Sequence, residues 1–184
     1  MPTRRNLVVA AAAFALVSGA AQAQSWKAQY PELVFAVVPA ENASGVGDRY
    51  APFMVYLTKE LGVPVKLRIA NDYAAVIEGQ RAGNIHIAFY GPASYATAYM
   101  TGVKTEPFVT TRNNDGAIGY YSVIYVKADS PYKDIHDLKG KTVGFVDPNS
   151  TSGYNAPRFF LHKVGIDADS FFGKSIVTGS HENA

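Results

Sequence analysis

The 184-residue sequence contains no cysteine. Without it there is no disulfide framework, no cysteine-anchored lipid and no thiolate metal site. Charge of one sign is missing as well. Lys and Arg number 17 and Asp and Glu 15, and two of the basic residues, Arg4 and Arg5, fall within the first 23. Beyond them the count is 15 against 15. No long basic run remains, which argues against nucleic acid as the partner. The four histidines have no metal-ligand spacing, so neither a metal nor a cofactor is expected. Long hydrophobic runs are also scarce: Leu7 to Val17 is too short to span a bilayer comfortably.

That short run has a different reading. A basic start, an apolar stretch and a small-x-small end at Ala21-Gln22-Ala23 make a secretory signal peptide, with cleavage after Ala23. The arginine pair leaves the export route open between the general and twin-arginine pathways. An exported chain without cysteine is expected in a bacterial periplasm.

In the remainder, strand-like and helix-like segments alternate. LVFAVV (33–38), VPVKLRIA (63–70) and IHIAFY (85–90) read as strands. Between them DRYAPFMVYLTKELG carries Phe53, Met54, Leu57 and Leu61 at helical spacing, with a stop at Gly62. NDYAAVIEGQRAG opens on capping residues Asn71 and Asp72 and closes on Gly83. GPASYATAYMTG begins a helix with Pro92 in its first turn. This order predicts a mainly parallel sheet with helices on its faces. A polar break at RNNDG (112–116) then leads into a long β-rich run, AIGYYSVIYVKA, and on to KTVGFV, a helix and SIVTG. The break predicts a first α/β lobe over residues 24–115 and a second over 116–184. The ending SIVTGSHENA reads as a strand, a turn and the start of a helix, so a chain cut short within the second lobe is expected.

Between KTVGFV and its helix lies DPNSTSGYNAP. Ligands in open α/β sheets bind outside the carboxyl ends of strands, where loops enter helices. A helix start offers free N–H groups and a positive dipole end, which suit an anion. Ser150, Thr151 and Ser152 add three rotatable O–H donors there, and Gly153 permits close backbone approach. Donors fanned around one point match a tetrahedral oxyanion. A plainer role is also open, in which Ser152 caps the helix and Asp147-Pro148-Asn149 forms a turn. Tyr90, at a strand end before another helix start, is a candidate to line the same cleft.

Enzymatic readings fare worse. Ser150, Ser152 and His181 are the raw material of a serine hydrolase, but no G-x-S-x-G elbow is present, and adjacent hydroxyls suit multipoint binding. The GKT and GKS triplets at 140–142 and 173–175 lack the first glycine of a phosphate-binding loop, since Ile135 and Ala168 stand there.

DPNSTSGY, DYAAVIEGQRAGNIHIAFYGPASY, GYYSVIYVKADSP and GSHENA, taken in order, resemble the phosphonate-binding periplasmic proteins of ABC importers (the phosphate/phosphite/phosphonate group). The resemblance runs across nearly all of the chain beyond Ala23. It implies a fold like the type II periplasmic binding proteins: two α/β lobes with mainly parallel sheets, joined by crossover strands, with ligand between them. It implies a non-enzymatic solute receptor that hands a phosphonate-type oxyanion to a membrane permease; phosphate, phosphite or another oxyanion is the alternative cargo. By the same resemblance Ser150, Thr151 and Ser152 cradle the oxygens, and Tyr73 reaches the ligand from the first lobe. Tyr120 then lines the cleft near the lobe junction, and His181 donates from another helix start. Carboxylates that meet an aminoalkyl tail in such proteins follow the HEN segment, at positions beyond Ala184.

Overall fold

A computed structural model of the chain describes residues 26–39 and 43–184. The signal peptide expected at 1–23 lies outside the described residues.

Three strands, β1 (Leu33–Val37), β2 (Val65–Ile69) and β3 (Ile87–Phe89), form one parallel sheet in the order β2-β1-β3. β1 is central and buried at every position but Val34, as an apolar run covered on both faces must be. Helix α1 (Ala43–Leu61) lays Met54, Leu57 and Leu61 against Leu33, Phe35, Val63 and Val65. It begins before the Asp48 start that periodicity predicts, which leaves Pro52 in its interior. Helix α2 (Tyr73–Arg81) follows β2, and the Asp72 carboxylate accepts the Ala75 N–H at 2.7 Å. Helix α3 (Pro92–Met100) follows β3, with Gly91 at its N-cap. Strand order therefore reverses between β1 and β3. All three helix starts lie at the carboxyl ends of strands, where such sheets bind ligands.

A second parallel pair joins β4 (Thr142–Phe145) to β5 (Lys174–Val177). Between them come a π-turn (Thr151–Asn155), α4 (Ala156–Lys163) and the short α5 (Ala168–Phe171). Phe145, Leu161, Ile166, Ala168 and Phe172 form the core of this unit. The glycines of the GKT and GKS triplets face each other here. A side chain on Gly173 would collide with the Gly140 carbonyl, and Gly173 N–H donates to the Lys141 carbonyl at 2.9 Å. Gly173 is thus a packing glycine, whereas Gly140, at φ 73° with open space around it, serves the turn into β4. Val146 ties the two sheets together by packing with Ala36, Val38, Tyr73 and Val76 of the first.

Two sequence expectations fail. The β-rich run AIGYYSVIYVKA forms no strand; residues 103–127 carry neither strand nor helix. Strand propensity needs a neighbour to take the backbone groups, and none of the described strands pairs with this segment. Its side chains are accordingly open, Tyr121 at 92% and Tyr125 at 85%. The RNNDG break is a tight turn, with Gly116 N–H donating to the Asn113 carbonyl at 2.9 Å and Gly116 at φ 86°. The expected helix start at SHENA is a series of bends. Ser180 Oγ does accept the Asn183 N–H at 3.3 Å, as a cap would, but a lone turn is unfavourable in isolation.

Candidate functional site

The loop after β4 is shaped by its own polar residues. Asp147 Oδ1 accepts the Asn149 N–H at 2.7 Å, and Ser150 N–H donates to the Asp147 carbonyl at 2.7 Å. This is the turn that the Asp-Pro-Asn sequence favours. Ser150 then caps the helical segment that begins at Thr151, its Oγ accepting the Gly153 N–H at 3.1 Å. The cap is Ser150, where the sequence points to Ser152.

The helix opens as a π-turn: Asn155 N–H donates to the Ser150 carbonyl at 3.1 Å, five residues back. Asn155 Nδ2 also donates to the carbonyls of Pro148 and Ser150, at 2.7 and 2.9 Å. Gly153 serves packing: a Cβ there would run into the Val146 side chain and sit 3.0 Å from Ser150 Oγ. The close approach made at Gly153 is thus to Val146, the residue that follows β4.

Ser150 is the point where distant segments meet. It is 1% exposed. Its hydroxyl interacts electrostatically with the Tyr73 hydroxyl, which comes from the start of α2, and lies 3.3 Å from His181 Nε2. Tyr73 is 3% exposed, so its ring is core while its oxygen faces this polar cluster. Burial pushes the Tyr73 hydroxyl above its ordinary 10.0, an effect opposed by the nearby Ser150 hydroxyl and reinforced by Asp147 and Tyr120. The phenol stays protonated and can donate. Loss of water around the imidazole moves His181 the other way, below 6.5. A neutral imidazole results, one nitrogen donating and the other accepting.

Thr151 reaches across to the first sheet. Its Oγ1 accepts the Ala93 N–H at 2.8 Å. Tyr120, 59% exposed, brings its hydroxyl to the same place, 3.8 Å from where a Cβ on Gly91 would lie. The Ser122 hydroxyl donates to the Ser152 carbonyl at 2.7 Å, which anchors the segment that carries Tyr120.

Five of the seven candidates therefore share one neighbourhood: Tyr73, Tyr120, Ser150, Thr151 and His181. Ser152 adjoins them in the chain. Tyr90 is engaged elsewhere, its hydroxyl donating to Gln80 Oε1 at 2.9 Å. Burial, and secondarily Glu78, push it up to about 12. Gly91, Ala93 and Asp147 belong to the cluster and were not legible as site residues. Among the described residues, no group of three or more His, Cys, Asp and Glu side chains is placed to hold a metal. No described helix is long and apolar enough to cross a membrane.

What the cluster offers is hydroxyl, amide and imidazole donors, with the Asp147 carboxylate beside them and no Lys or Arg among them. Such a set recognises an oxyanion by directed hydrogen bonds.

Comparison with known proteins identifies the family. The family described as ABC transporter, phosphonate, periplasmic substrate-binding protein matches residues 35–184. The phosphate-import protein PhnD of Mycolicibacterium smegmatis is 37% identical, over 97% of this chain and 60% of that protein. The phosphonates-binding periplasmic protein of Escherichia coli is 34% identical, over 85% of this chain and 47% of its own length. The chain thus spans about half the length of these relatives. Among solved structures, a binding protein component of an ABC phosphonate transporter from Pseudomonas aeruginosa superposes with a TM-score of 0.76 at 31% identity. It covers 83% of this chain and 51% of that one. PhnD1 of Prochlorococcus marinus, solved in complex with methylphosphonate, shares the fold at a TM-score of 0.64 and 24% identity, covering 83% of this chain and 58% of its own. By sequence and by fold, the chain belongs to the phosphonate periplasmic substrate-binding protein family of ABC transporters.

Proposed function

We propose that the protein captures a phosphonate-type oxyanion in the periplasm and delivers it, chemically unchanged, to the permease of an ABC importer. The observation that carries this reading is the meeting of Tyr73, Ser150 and His181 on one buried hydroxyl. Ser150, Thr151 and Ser152 take the anionic oxygens, with Tyr73, His181 and Tyr120 completing the set. We assign residues 24–115 to one lobe and 116–184 to the other, with residues 1–23 removed on export. The site then lies in the cleft between the lobes, and ligand draws them together because each contributes donors.

Relatives are named for phosphate and for phosphonates, and the proposed cradle suits the oxyanion head common to both. Calorimetric titration with methylphosphonate, 2-aminoethylphosphonate, phosphite and phosphate separates these cargoes. Phosphorus NMR of the recovered ligand tests for chemistry. We expect one saturable site and an unaltered ligand; turnover, or no uptake of any of the four, would overturn the reading. Ser150→Ala should weaken binding by about 1–3 kcal/mol, the cost of a lost bond to a charged group.

A further inference from the structure

Helix α3 has an unusual start. Its N-cap is Gly91, which has no side chain to cap with, and Pro92 brings no N–H. Ala93 is therefore the first amide of the helix, and it is capped from 58 residues away by Thr151 Oγ1 at 2.8 Å. The contact is held from both ends. Ser94, fully buried, donates its hydroxyl to the Gly91 carbonyl at 3.0 Å and fixes the turn. A Cβ on Gly91 would stand 3.1 Å from Thr151 Oγ1 and 3.8 Å from the Tyr120 hydroxyl. Gly91 has φ −78°, so conformational freedom does not require glycine there; space does.

A hydroxyl has one proton and two lone pairs. With an amide at the positive end of α3 donating to it, the Thr151 oxygen is polarised and its proton is left to donate. No bond donated by Thr151 occurs among the described residues. We propose that Ala93 and Gly91 are positioning residues for the anion site: the amide of Ala93 aims and polarises the Thr151 hydroxyl, and Gly91 keeps open the space that this contact needs. The α3 terminus thus acts on the ligand through Thr151 and couples the first sheet to the loop after β4. This inference rests on the oxyanion-capture reading.

Three variants of the protein test it: Thr151→Ser, Thr151→Val and Gly91→Ala. Two readouts are followed, calorimetric affinity for methylphosphonate and for inorganic phosphate, and amide hydrogen exchange at Ala93 without ligand. Thr151→Ser keeps the oxygen and should bind within about threefold of the parent, with Ala93 still protected. Thr151→Val keeps the shape and should lose about 10- to 100-fold in affinity, with Ala93 exchange accelerated. Gly91→Ala should also weaken binding by about tenfold and expose Ala93, by wedging the contact apart. A role confined to packing would lower the melting temperature of Gly91→Ala and leave affinity at low temperature untouched. Ala93 exchange that is equal in the parent, Thr151→Val and Gly91→Ala would overturn the inference whether or not any ligand binds. So would parental affinity in Gly91→Ala. A parent that binds neither probe while Ala93 responds as described would instead overturn the capture reading and leave the contact standing.

Discussion

The two parallel sheets repeat the same strand–helix–strand order and differ in how much of themselves they bury. In the first, β1 is flanked on both sides and covered by helices, with Phe35 at 5% exposure. In the second, two strands stand alone and β5 is exposed at all four positions. Hydrophobic burial scales with area removed from water, so the first sheet is a platform with its own core. The second holds together through α4, α5 and the hydrogen-bonded loop after β4. The candidate site takes its fixed partners, Tyr73 and Ala93, from the platform, and its hydroxyl-bearing loop from the lighter unit.

The strongest test of that contrast is truncation at matched places. Phe35→Ala should cost about 3–5 kcal/mol, typical of a buried aromatic, whereas Ile176→Ala on exposed β5 should stay within about 0.5 kcal/mol. Denaturant unfolding measures both, and similar losses would erase the distinction. Gly153→Ala comes next. Its Cβ meets Val146, which packs into the first sheet, so overpacking of about 1–3 kcal/mol should be felt by both units. Exchange protection lost in residues 142–177 alone would show that Val146 does not couple them.

The smallest effect concerns pH. Desolvation lowers the His181 pKa below 6.5, so on acidification the unfolded chain takes up that proton first. Stability from this group is present above about pH 6.5 and falls as pH drops from there toward the lower folded value. Melting scans at about pH 7.5 and 5.5 should show a small decline that His181→Gln removes. A slope of opposite sign would mean that the imidazole gains an acidic partner on folding.

Elements with strong local signals could be read from the sequence. Asp72, Gly83, Pro92 and Gly62 mark helix ends that the structure places within a residue or two. Short apolar runs in the sequence correspond to the five strands of the described residues. The run from Ala117 misled because β-branched and aromatic residues report fitness for a pleated surface, and pairing is decided elsewhere in the chain. In the site, the hydroxyl triplet stood out by composition. Which serine caps, and the contact of Ala93 with Thr151, left no trace, because contacts 58 residues apart impose no periodicity. Gly153 reads from the sequence as a ligand-approach glycine and is a packing glycine, since a missing side chain looks alike whatever fills the space.

The π-turn at Thr151–Asn155 also sets the phase of everything after it. Each residue in an α-helix advances the chain by about 100° around the axis. Deleting one residue from this turn would swing α4 by that angle. Pro157 and Leu161, which now face the core, would rotate away, and exposed Phe159 and Phe160 would turn toward new neighbours. Loop length here behaves like the tooth of a gear. A side-chain exchange in the segment bearing the hydroxyls acts where it is made, whereas loss or gain of a residue would shift the whole of α4.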